Sequence, residues 1–154
     1  EVIKEVPDAQ LLIVGDGKIK KNLQQLALRL GLEKNLLFIP SVVNTAEMLS
    51  LMDVFVMPSL AEGLGLSLIE AMAMGLAVIG SDVGGIKTLI RDGESGILVR
   101  PKDTAQLALA IIDLLKDGAK RNYLRSNAQT FARENFSLEE MVQEIEKVFA
   151  QCLK

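Results

Sequence analysis

A doubly wound α/β fold, a parallel sheet covered by helices on both faces, is what this sequence predicts, on three observations. Short apolar runs alternate with stretches of helical periodicity over most of the chain. Those runs are apolar throughout rather than at every second residue, the mark of strands buried on both faces of a parallel sheet. Beyond the run ending at Val99 only helical patterns remain, as expected where an open sheet gives out.

Taken in order, Glu1 to Val6 reads as the tail of a helix, turned by Pro7-Asp8. Leu11 to Val14 is the first strand, ended by Gly15-Asp16-Gly17. Ile19, Leu23, Leu26, Ala27 and Leu30 then repeat at helical spacing, and Gly31 stops that helix. Leu36 to Ile39 before Pro40 is the second strand. A short helix carrying Ala46, Met48, Leu49 and Met52, with Asn44 or Thr45 as cap, leads to the third strand, Val54 to Met57. A helix from Ser67 to Met74 passes through Gly75 to the fourth strand, Ala77 to Ile79. Gly84-Gly85 opens a short helix over Ile86 to Ile90, and Gly96 to Val99 is the fifth strand. Three helices follow: Asp103 to Lys116, with Asp103 and Gln106 placed as a capping box; Ala119 to about Asn135; and Ser137 to Leu153, with Ser137 and Glu140 as another box.

Composition narrows the function. At 154 residues the chain is one domain's worth, with one aliphatic core expected from 49% hydrophobic residues and no Trp. A net charge of −3 leaves no basic footprint, so nucleic acid is not an expected partner. There is no His, which excludes imidazole acid–base chemistry and His-ligated metals within these residues. The single Cys, Cys152, allows no internal disulfide and fits a reducing compartment. The apolar stretch from Leu64 to Gly80 is broken by Glu70 and by glycines and serines, so it reads as helix plus strand rather than a membrane span.

The stretch that carries chemistry runs from Pro58 to Gly75. An apolar strand meets Pro58, which cannot continue a ladder, and the chain turns through Gly63 and Gly65 into a helix beginning near Ser67. Such a junction leaves the N–H groups of Leu64, Gly65, Leu66 and Ser67 without intrahelical partners, with the positive end of the helix dipole behind them. It is suited to an anion. Glu62 and Glu70 bracket the loop, and a carboxylate beside an anion site makes sense when the anion also carries hydroxyl groups that donate to it. Sugar and ribose hydroxyls are such donors. In a doubly wound sheet ligands sit beyond the carboxyl ends of the strands, where the loops at residues 15–17, 41–44, 62–67 and 84–85 are expected to meet in one crevice.

Glu62 to Glu70 forms an E-x7-E motif. With Pro58-Ser59 before it and Glu70-Ala-Met-Ala-Met-Gly75 closing it, it resembles the nucleotide-binding C-terminal domain of retaining GT-B glycosyltransferases of the glycosyltransferases group 1, or GT4-like, family. The likeness extends along essentially the whole chain, through LLIVGDG, LLFIPSV, DVFVMPSLAEGLGLSLIEAMAMG and AVIGSDVGGIKTLIRDGESGILVRPKD. It implies a Rossmann-like fold and a nucleoside-diphosphate sugar as donor. By the same resemblance Glu70 would take the ribose hydroxyls and Glu62 the donor sugar's hydroxyls. The main chain of Gly63, Leu64, Gly65, Leu66 and Ser67 would bind phosphates and sugar. Main-chain groups at Ser41, Val42 and Val43 would meet the base, and Gly84-Gly85 would let the chain approach the donor closely, a plain turn being the equal alternative for that pair. The resemblance implies no cofactor and no metal. It implies an acceptor glycan, lipid or small molecule bound through an N-terminal domain, with no catalytic residue assigned to this segment. The expected location is cytoplasmic, with peripheral association at the inner face of a membrane as the variant.

Two departures qualify the match. Where the family commonly has a Glu after the double glycine this chain has Thr88, and the family's first strand, with the Arg and Lys that clamp the diphosphate, has no counterpart in residues 1–154. Lys4, Lys18, Lys20 and Lys21 do not match those positions and read as solvated helix faces. The expectation is a single donor-binding domain over 1–154, truncated at its N-terminus, whose central strand is supplied from elsewhere, so that Leu11–Val14 does not pair with Val54–Met57. The alternatives are a non-catalytic nucleotide-sugar-binding module, a GT-B-like epimerase, and a flavodoxin-like domain that binds nothing.

Overall fold

The computed structural model describes residues 1–152. Two compact units divide it, Glu1–Leu51 and Met52–Lys154.

In the first unit α1 (Val2–Glu5) precedes β1 (Leu11–Val14), α2 (Lys20–Arg29), β2 (Leu36–Ile39) and α3 (Thr45–Leu49). β1 and β2 pair in parallel, with Leu11 opposite Leu36 and Val14 opposite Ile39. The entry into β1 is tied by Asn35, whose Nδ2 donates to the carbonyls of Pro7 and Ala9 at 3.0 and 2.9 Å. α2 ends as its Gly31 predicts. Leu32 N–H returns to the Ala27 carbonyl and Gly31 N–H to that of Leu28, the paired bonds of a left-handed glycine cap. The strand expected to be buried on both faces is not: Leu11 is 54% and Val14 36% exposed. Apolarity makes the strand, but one ladder with β2 leaves its ends uncovered.

The second unit holds β3 (Val54–Met57), α4 (Leu66–Ala73), β4 (Ala77–Ser81), α5 (Ile86–Leu89), β5 (Ile97–Val99), α6 (Thr104–Lys116), α7 (Gly118–Asn135) and α8 (Leu138–Cys152). Its sheet is parallel in the order β3-β4-β5, separate from the β1-β2 sheet, and β1 pairs with β2 rather than with β3. β4 is the centre, and every one of its residues is buried. Ala77 and Ile79 join Val99, Ala110, Leu114 and Leu124 in one core cluster. α4 buries Leu68, Ala71 and Met72, spaced i, i+3, i+4 on one face, while Leu66, Ser67 and Glu70 remain exposed. α7 supplies Leu124, Ala128 and Ala132, four apart, to the surface it shares with α4 and β4.

The helix starts correct the sequence in detail. Asp103 caps α6 by accepting from Gln106 N–H at 2.9 Å, but Gln106 Oε1 accepts from Arg100 N–H instead of closing the box on Asp103. Asn44 Nδ2 donates to Glu47 Oε1, and Asn44 makes no side-chain cap bond to α3. α7 begins at Gly118 because Asp117 accepts from Lys120 N–H. Ser137 Oγ accepts from Glu140 N–H at 3.2 Å, as expected. Of the helix anticipated over Ser137 to Leu153, α8 spans Leu138–Cys152, and Leu153 lies outside the described residues. No described residue of α8 is buried, and no helix among the described residues is long and apolar enough to cross a membrane.

Candidate functional site

The loop between β3 and α4 is positioned by what surrounds it. β3 ends at Met57 before Pro58, and α4 is fixed below by its buried leucine, alanine and methionine. The chain reaches α4 through Gly65, the N-cap, held left-handed at φ 73°, ψ 52°. A side chain there would be strained by roughly 1–2 kcal/mol even though the space for its Cβ is ordinary. This turn lets the loop end and the helix begin within one residue.

Gly65 O accepts from Leu68 and Ile69 N–H at 2.9 and 3.2 Å, so the first helical bonds start there. Among the described residues the N–H groups of Leu64, Gly65, Leu66 and Ser67 have no backbone carbonyl partner. These are the orphan donors of a helix start, and the partial positive charge of α4 lies behind them. Glu62 is half-buried at the loop's near side, its Oε1 accepting from Gly63 N–H at 3.2 Å. Glu70 is exposed one turn into α4. Glu62 thus lies before those amides of residues 64–67 and Glu70 after them along the chain.

The turn after β4 closes on this loop. Gly85 N–H donates to the Glu62 carbonyl at 3.0 Å, and Thr88 Oγ1 donates back to the Gly85 carbonyl at 2.7 Å. A Cβ on Gly84 would lie 2.2 Å from the Glu62 oxygen, and one on Gly85 1.9 Å from the Gly63 oxygen. The close approach that this glycine pair permits is to protein main chain.

In the first unit the turns at the carboxyl ends of β1 and β2 also meet. Asp16 Oδ2 accepts from Ser41 N–H at 2.8 Å, and Asp16 Oδ1 accepts from Lys20 Nζ at 2.9 Å. The Ser41 amide, and then Lys20, hold the Asp16 carboxyl below its ordinary range. Lys20 is thus an ion-pair partner, beyond the solvated helix face expected of it. Val42 is half-buried and Val43 fully exposed in the stretch that Asp16 holds. In the sequence, residues 15–17 read only as the turn that ends the first strand and as one of the loops at the strands' carboxyl ends. The signal that could have found this bond is an acid flanked by two glycines at the end of one parallel strand, beside the strand that ends at Ile39, two residues before Ser41.

Among the described residues no group of three or more Cys, Asp or Glu side chains is placed to hold a metal ion. What the β3–α4 loop offers chemically is a row of amide donors for an anion and two carboxylates as acceptors for hydroxyl groups.

The α/β arrangement with parallel sheets is that of GT-B glycosyltransferases. The chain belongs to the glycosyl transferases group 1 family, whose model matches residues 1–131. Among curated relatives it is 36% identical over 154 residues to N-acetyl-alpha-D-glucosaminyl L-malate synthase of Bacillus anthracis, covering all of this chain and 40% of that protein. Among solved structures it is similar to Anabaena HepE in complex with UDP, with a TM-score of 0.90 and 27% identity, over 97% of this chain and 44% of that one. It also matches the crystallised C-terminal domain of a glycosyl transferase group 1 family protein from Francisella tularensis. There the TM-score is 0.80 and the identity 30%, over 89% of this chain and 74% of that one. The chain spans about 40% of the length of the curated relatives that it matches.

Proposed function

We propose that this chain is the donor-binding half of a glycosyltransferase that moves a sugar from a nucleoside-diphosphate sugar to an acceptor hydroxyl with retention of anomeric configuration. One observation carries the reading. At the start of α4 the amides of residues 64–67 have no backbone carbonyl partner among the described residues, with Glu62 in the loop before them and Glu70 one turn into the helix. Family membership and the UDP held by the Anabaena neighbour support it.

The residues then take roles set by their chemistry. Glu70 accepts from the ribose hydroxyls and Glu62 from the hydroxyls of the transferred sugar, each as an acceptor-only carboxylate. Amides of Leu64, Gly65, Leu66 and Ser67 meet the phosphates, and their fixed dipoles stabilise the charge that grows on the departing diphosphate, with no reorganisation at the moment of reaction. In this reading no metal is needed for that charge. Main-chain groups at Ser41, Val42 and Val43 face the base, in a loop that Asp16 holds. The acceptor is bound by the part of the family's length that this chain does not span, in the cytoplasm or at the inner face of a membrane. Alone, the chain should not turn over.

Titration of UDP and GDP into the full-length protein tests this. Glu70→Ala removes a charge-assisted acceptor from an exposed position, so nucleotide affinity should fall about 10- to 100-fold while the melting temperature stays near wild type. A large loss of melting temperature with unchanged affinity would make Glu70 structural and sink the assignment. Nucleotide binding without transfer to any acceptor would favour the non-catalytic module.

A further inference from the structure

The geometry points to Gly84 and Gly85 as positioning residues that seat the Glu62-bearing loop. Glycine is required there by the loop that they support. Gly85 has an ordinary backbone conformation, φ −67° and ψ −24°, which any residue adopts. Its Cβ position nonetheless lies 1.9 Å from the Gly63 oxygen, 2.7 Å from the Gly63 carbonyl carbon and 3.1 Å from Leu64 Cα. Gly84 combines a φ of +41° with a Cβ position 2.2 Å from the Glu62 oxygen. All of these neighbours are main chain, which cannot swing aside as a flexible side chain could.

The contact is also bonded. Gly85 N–H donates to the Glu62 carbonyl, and the Gly85 carbonyl accepts from both the hydroxyl and the N–H of Thr88. Thr88 in α5 therefore holds the carbonyl of Gly85, and the N–H of the same residue holds the main chain of Glu62. α5 is itself anchored, because Ile86 and Leu89 are buried. Thr88 thus supports the loop through Gly85. An alanine at Gly85 must displace the Glu62–Gly63 main chain or the turn after β4, and with it the loop that carries Glu62 and the amides that follow.

The proposal rests on the reading of the 62–67 loop as donor-binding, and the test separates the two. In the full-length protein, UDP affinity, melting temperature and amide exchange over residues 62–67 are compared for wild type, Gly85→Ala, Thr88→Val and Thr88→Ser. Gly85→Ala should weaken UDP binding about 10- to 100-fold, the loss of one charge-assisted hydrogen bond, and speed exchange across the loop. Thr88→Val should do the same more weakly, and Thr88→Ser, which keeps the hydroxyl, should behave as wild type. UDP affinity and loop exchange within twofold of wild type in Gly85→Ala would overturn the proposal. Should wild type bind neither UDP nor GDP, the donor reading fails, and loop exchange alone decides: unchanged exchange in Gly85→Ala refutes the seat, accelerated exchange upholds it. Should Gly85→Ala not fold, the Thr88 pair decides, and equal UDP affinity and loop exchange in the Val and Ser variants refutes the support from Thr88.

Discussion

β1 and β4 look alike as sequence and differ as structure. Leu11-Leu-Ile-Val14 and Ala77-Val-Ile79 are both uninterrupted apolar runs ended by glycine or serine turns, and both predict strands buried on two faces. β4 meets that expectation, with Ala77, Val78 and Ile79 fully buried between β3 and β5 and against α4, α5, α6 and α7. β1 forms one ladder and leaves Leu11 and Val14 exposed. An apolar run specifies a strand locally, whereas burial is a property of the neighbours, earlier or later in the chain, that pack against it. The same contrast marks the two units: residues 1–51 bury only Ala27 and Leu49 among their hydrophobic side chains, neither of them fully, and every other buried hydrophobic residue lies in the second unit.

The largest effect expected of that contrast is in packing. Leu68→Ala, which empties a fully buried position on α4, should cost about 2–5 kcal/mol, whereas Leu37→Ala at an exposed position of β2 should cost about 0.5 kcal/mol or less. Urea unfolding of the full-length protein measures both. Equal costs would mean that the first unit buries as much as the second in solution, and the comparison would break.

A smaller effect separates backbone strain from site geometry. Gly65 and Gly31 have similar left-handed conformations, φ 73° and 65°, and neither has a close obstacle to a Cβ. Alanine at either should cost roughly 1–2 kcal/mol in melting experiments. Only Gly65→Ala should also weaken UDP binding, because only Gly65 aims the α4 amides. Loss of UDP affinity in Gly31→Ala would show that strain anywhere in the chain suffices.

Smallest is the pH response of the first unit. Asp16 has its carboxyl depressed by the Ser41 amide and by Lys20, so its contribution is present above the ordinary value of 3.8 and is lost as pH falls through the lowered folded value. Protection of the Ser41 amide against exchange should therefore hold at neutral pH and fade only below about pH 4. Asp16→Ala should abolish it at every pH. A Ser41 amide equally protected in that variant would show that the bond does not hold the loop.

Most strands and helices were legible because apolar periodicity and glycine or proline punctuation are local signals. The β3–α4 turn was legible for the same reason: Glu62, Gly65 and Glu70 lie within one loop and the helix that it opens. Partners that only the folded chain brings together were not. The sequence placed Gln106 in a box with Asp103, yet its oxygen serves Arg100 N–H. Gly84-Gly85 carries no mark that its neighbour is the main chain of Glu62 and Gly63, more than twenty residues back. Asp16 gives no hint of Ser41 until β1 and β2 are paired in parallel. Each miss is a main-chain group held by a partner beyond the reach of a local pattern, six residues away for Arg100 and more than twenty for Ser41 and Gly85.

A crystal structure of the full-length protein with UDP tests the central claim most directly. The account predicts the diphosphate within hydrogen-bonding distance of amides in residues 64–67, with the ribose hydroxyls on the Glu70 carboxylate. A nucleotide bound in order elsewhere, with the start of α4 left to solvent, would contradict it.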